Sequence, residues 1–143
     1  MPNNERHWTD DQLAAAWVGR YGARPRIVLS LGEPDQQIAS SESVKVNTRW
    51  ALDALDSLIT DDPYAAWRII LMIQSIADGD EVVLANLAAG PLERLLASHG
   101  RKAVVWVEHE AQRNSEFKRL LGSVWQNLMP ELIWQRVQKA ASD

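Results

Sequence analysis

A chain of 143 residues, 46% hydrophobic and 24% charged, suits one globular domain that buries a core of its own. The net charge of −4 gives no global pull toward nucleic acid, and the longest apolar run, "IILMI" at residues 69–73, is too short to cross a bilayer. The absence of cysteine excludes disulfides, thiol catalysis and cysteine-ligated metals.

The first eleven residues, "MPNNERHWTDD", are polar and acidic and do not read as a secretory leader. With no cysteine, the expected location is the cytoplasm. Thr9 with Gln12 makes a capping box, and Leu13, Ala16, Trp17 and Arg20 form one stripe of a first helix that Gly22 and Pro25 stop. Residues 22–42 read as one irregular loop: "RIVLSL" resembles a strand but has no partner strand. Serines at 40–43 are candidate caps for a second helix with Val44, Thr48, Ala51, Leu55, Leu58 and Ile59 on its apolar side.

"TDDP" is a helix start, an Asp cap followed by Pro63 in the first turn. The third helix, "PYAAWRIILMIQSIA", is apolar on nearly every side and reads as the central one. "DGD" at 78–80 ends it and caps a fourth, "EVVLANLAA". Gly90 and Pro91 then read as a corner: Gly90 left-handed or capping, Pro91 the first residue of a new helix. Leu92, Leu95, Leu96 and His99 share a face, and Gly100 suits the left-handed residue that closes a helix. "RKAVVWVEHEAQRN" follows, with Val104, Val107, Glu108 and Ala111 together. "SEFKRLLGSVWQNL" reads as the next helix, capped by Ser115, with Phe117, Leu120, Leu121, Val124, Trp125 and Leu128 on a core stripe. Pro130 breaks the chain before a last helix, "ELIWQRVQKAAS". The expected fold is all-α: about seven helices in a compact bundle or a short α-solenoid-like array, one domain over 1–143. Residues 1–42 supply a helix and the loop, and 43–143 the helical core.

Residues 63 to about 134 carry a signature: Trp67, then "LAAGPLERLL" with "HG", then Glu108 and Ala111, then Phe117, "LLG" and Val124–Trp125. In this it resembles a bacterial family of small helical proteins of unknown function. The resemblance implies an all-helical bacterial protein and no particular activity.

Chemical motifs are sparse. "AAGP" lacks both the Lys-Ser/Thr of a phosphate loop and the spaced glycines of a dinucleotide fingerprint. His99 and His109 do not share a helical face by the usual ligand spacing, and Ser30, Ser75, Ser98 and Ser123 have no nucleophile elbow. Neither a metal, a cofactor nor a catalytic residue is therefore assigned. Arg68 lies in the most apolar helix, so it needs acceptors; Glu93 and Glu108 are the expected ones, with His99 nearby. Such a set is either a structural network or a pocket. Seven tryptophans against one phenylalanine point to core wedges or interface anchors, with Trp8, Trp17, Trp50 and Trp134 the candidate anchors and Trp125 expected in the core.

Charge is uneven. Residues 61–100 hold six acids and two bases, net −4, and residues 101–143 hold seven bases and five acids, net +2. That excess is too small to make nucleic acid the expected partner. The expected function is binding another protein without catalysis, as a bacterial immunity protein, antitoxin or mobile-element inhibitor. The alternative is a small hydrolase or ligand-binding protein using Arg68, Glu93, His99 and Glu108. No membrane is expected as a partner, and association of the chain with itself stays open.

Overall fold

The computed structural model describes residues 8–21 and 48–142, and every regular element among them is helical. Helix α1 (Asp10–Tyr21) starts at the expected capping box: the Thr9 amide donates to Gln12 Oε1 at 2.8 Å, and the Gln12 amide donates to Thr9 Oγ1 at 3.1 Å. It buries Leu13, Ala14 and Trp17. The expected loop at 22–42, the serines at 40–43 and Val44 lie outside the described residues. Helix α2 (Arg49–Asp61) buries Ala51, Leu55 and Ile59, three members of the expected stripe.

Helix α3 (Pro63–Ala77) begins where the Asp62 side chain accepts from the Ala65 amide, with Pro63 in the first turn. Its core face carries Ala66, Trp67, Ile69, Ile70 and Ile73. The helix is not buried all round, however: Arg68, Ser75 and Ile76 face solvent. It ends in two left-handed residues, Asp78 (φ 45°) and Gly79 (φ 86°), a conformation that glycine adopts without a Cβ penalty. Helix α4 (Glu81–Leu87) is capped by Asp80, whose side chain accepts from the Val82 and Val83 amides.

The expected corner at Gly90–Pro91 is not there. Residues Ala88–Leu92 form one π-helical turn that carries α4 directly into α5 (Glu93–Arg113), and Gly90 does not have positive φ. Proline lacks an amide hydrogen and its ring collides with the carbonyl one turn back; widening the helix by one residue absorbs both defects without a break. A glycine before the proline also removes the Cβ that would crowd the ring in helical geometry.

The break comes instead at His99 (φ −131°, ψ 39°), which divides α5 into two rods. Gly100 is therefore not a left-handed cap. It is buried, and a Cβ there would sit 2.8 Å from Ile133 Cγ1. The glycine lets the second rod approach α7 (Glu131–Ser142).

Between them, α6 (Ser115–Leu121) is shorter than its apolar stripe suggested. Its cap is Asn114, not Ser115: Asn114 Oδ1 accepts from the Phe117 amide at 3.1 Å. Tight turn bonds from the Gly122, Ser123 and Val124 amides end it. Trp125 and Leu128 thus leave the helix, and the expectation that Trp125 is core is overturned. Among the described residues the set of seven α-helices, with α4 and α5 continuous, is close to the expected number. Helices α1, α2 and α3 pack on one another, α5, α6 and α7 do likewise, and α3 meets α5 between the two groups. A single apolar cluster, including Trp17, Leu55, Ile70, Leu96, Val107, Phe117 and Val137, runs through both.

Candidate functional site

The four expected network residues are not brought together. Arg68 is on the surface, its side chain 52% exposed, and donates to Asp10 Oδ2 at 2.6 Å, which pins α3 to the start of α1. Neither Glu93 nor Glu108 is its acceptor. Glu108 instead takes a two-pronged bond from Arg136 on α7, at 2.8 Å from Nε and 2.6 Å from Nη2. That bond holds the Glu108 carboxyl below its ordinary value of 4.5 and raises Arg136, partial burial opposing both. His99 stands at the α5 kink and lines a different groove from Glu108.

Among the described residues the buried carboxylate is Glu110, which is not a member of the expected network. It accepts from Asn114 Nδ2 at 2.9 Å and from Arg113 Nε at 3.1 Å, and Asn114 also donates to the buried Gln74 on α3. The signal was available: Glu110 lies seven residues after Ala103 and three after Val107, on the buried stripe of α5. The cluster joins α3, α5 and α6, and its place among packed helices marks it as architecture.

Of the candidate anchors, Trp17 is withdrawn: it is 2% exposed and part of the core. Trp8 and Trp50 are half-buried, with ring centroids 5.7 Å apart, on an open groove between α1 and α2. Trp134 is half-buried and packs against the core from α7. The fully presented ring is Trp125. It is 70% exposed, and two leucines close by in sequence, Leu128 at 88% and Leu132 at 74%, are exposed as well.

Trp125 and Leu128 sit on a loop, residues 122–130, held in shape from below, and Leu132 follows in the first turn of α7. Glu93, just after the π turn, accepts from the Trp125 amide at 3.2 Å and from Asn127 Nδ2 at 2.6 Å. Asn127 has φ 42°, a left-handed conformation that asparagine tolerates. Gln126 folds the loop on itself, donating to the Met129 carbonyl and to Glu131 Oε1, both at 3.1 Å. Met129 is buried beneath. So Glu93 has a role, but as the latch of a loop rather than as a member of a buried pair.

Beside Leu132 lies a groove of about 500 Å³ between the α5 kink and the start of α7, lined by His99, Arg101, Lys102, Pro130 and Ile133 among others. Arg101 and Lys102 are exposed, in the first turn of the rod after the kink, where a cation gains nothing from the helix dipole. Among the described residues, no group of three His, Asp or Glu side chains is placed to hold a metal, and no helix is long and apolar enough to cross a membrane.

An all-α protein with one latched, apolar, solvent-facing loop is thus the class that the geometry defines. The chain belongs to a family of unknown function, DUF6869, whose model matches residues 38–143. No curated protein and no solved structure matches it.

Proposed function

We propose that this protein works by binding another protein through the face built by Trp125, Leu128 and Leu132. The observation that supports the reading is the exposure of all three within residues 125–132, Trp125 and Leu128 on a loop whose shape Glu93, Gln126 and Asn127 hold and Leu132 in the first turn of α7 beyond it. Large apolar side chains gathered on a fixed surface lose free energy in water and recover it by docking, and tryptophan is prominent among residues that dominate interface energies. A pre-shaped loop also loses little conformational entropy on binding.

The hydrolase alternative needed Arg68, Glu93, His99 and Glu108 in one pocket, and the described geometry gives it no support. Within the binding reading, the role we favour is that of a cytoplasmic bacterial immunity protein, antitoxin or mobile-element inhibitor. Its support is class alone: a small, acidic, cysteine-free helical chain. The neighbouring reading frame discriminates among the three, a toxin-like product favouring immunity and phage genes an inhibitor.

The test is site-specific photocrosslinking in the native host. A benzophenone side chain replacing Leu128 should give a discrete adduct with one other protein, and the same group replacing Ser75 on the exposed side of α3 should not. Equal labelling from both positions would sink the reading, and an adduct of twice the chain's own mass would replace it with self-association.

A further inference from the structure

We infer that the partner presents an acidic segment, seating an apolar side chain in the groove beside Leu132 and its carboxylates against Arg101 and Lys102. This rests on the proposed binding face and adds the chemistry of what docks there.

The elements that build the face, residues 93–102 and 122–136, carry two acids, Glu93 and Glu131, and four fixed cations, Arg94, Arg101, Lys102 and Arg136. Both acids keep their charge and are held away from the groove lining by neutral donors, Glu93 by Trp125 and Asn127 and Glu131 by Gln126 on Oε1 and Gln135 on Oε2. Arg94 is paired with Asp56 and Arg136 with Glu108. Of the cations on these elements, Arg101 and Lys102 are the two that make no ion pair with a described residue, and both line the groove. The groove itself is therefore lined by apolar surface and His99 with two cations outside any ion pair, and no carboxylate is in its lining. In a chain whose net charge is −4, the sign of this lining is opposite to the whole. Such a rim attracts a partner of complementary sign and repels one of like sign.

A second copy is a poor occupant. In a two-fold dimer the same patch meets itself, which would set Arg101 and Lys102 against their own copies. The apolar strip is also short, which fits a peptide-like segment better than an obligate interface.

The experiment uses the whole protein as bait for a random-peptide display library, and then measures the enriched peptides, synthesised with a fluorescent label, by anisotropy. Expected are peptides combining Asp or Glu with Leu, Phe or Trp. Their binding should be lost with Leu132→Ser, fall roughly tenfold with Arg101→Gln/Lys102→Gln and weaken as salt is raised. Circular dichroism and a melt confirm that each variant folds. Enriched peptides that are neutral or basic, or binding lost with Leu132→Ser but indifferent to Arg101→Gln/Lys102→Gln, would overturn the acidic partner and leave the binding face standing. No enriched peptide, or peptides indifferent to both variants, would overturn both. A dimer seen in sedimentation and dissolved by Leu132→Ser would give the face to a second copy instead.

Discussion

Gly100→Ala should destabilise the protein although it replaces a helical glycine with the best helix former. On an open helix surface that change gains about 0.5–1 kcal/mol. Here the new Cβ would lie 2.8 Å from Ile133 Cγ1 and 3.2 Å from both Cγ2 and Cδ1. The two γ carbons branch from the same atom, so no rotation moves both away, and relief requires the second rod of α5 to part from α7. Overpacking of this kind costs roughly 1–3 kcal/mol. Net of the propensity gain, a loss of about 1 kcal/mol is expected, a fall of roughly 4 °C in the melting midpoint. Ile133→Ala removes all three atoms and by itself costs about 2–5 kcal/mol. In the double variant the alanine methyl fills part of the space left, so the combined loss should be clearly smaller than the sum. Paired thermal and urea melts decide it. A Gly100→Ala protein more stable than wild type, or strict additivity with Ile133→Ala, would refute the close approach and with it the wall of the groove beside Leu132.

Arg68→Met should cost less than about 1 kcal/mol in a urea melt, because its partner Asp10 is met at the surface and water replaces the lost bond; a loss several times larger would restore a buried role. The Glu108–Arg136 pair should show a coupling of about 0.5–1 kcal/mol in a double-mutant cycle with Glu108→Gln and Arg136→Met, at low salt. Because Glu108 is held below 4.5, that contribution is present above the unfolded value and is lost as pH falls through the folded one. The wild type's advantage over Glu108→Gln should therefore be constant from neutral pH to about 5 and vanish in more acid solution, as melts across pH would show. Asn114→Ala removes the α6 cap and a donor to buried Glu110, so a loss of about 1–3 kcal/mol is expected, and a melt within error of wild type would show the cluster to be dispensable.

Local signals of one turn's range were legible in the sequence. The Thr9–Gln12 box, the Asp62–Pro63 start and the Asp80 cap depend on a side chain reaching an amide two or three residues away, and all three stand as read. The 3.6-residue periodicity placed Leu13, Leu55, Leu96, Val107 and Phe117 inside for the same reason: a helix repeats by itself. What the sequence could not settle was any choice between two locally acceptable states. Gly90–Pro91 permits a corner or a widened turn, and the packing of Ala88, Pro91 and Leu92 into the core decided for continuity. Gly100 permits a cap or a close contact, and Ile133, thirty-three residues on, decided. Arg68 was free to take any carboxylate within reach, and the arrival of α1 supplied Asp10. The largest departure is Trp125. Its periodic neighbours place it in the core, but two bonds to Glu93 at the far end of α5 draw the chain out of the helix first. Periodicity reports which face a residue takes while the helix lasts; where the helix stops was decided by a contact the local sequence does not contain.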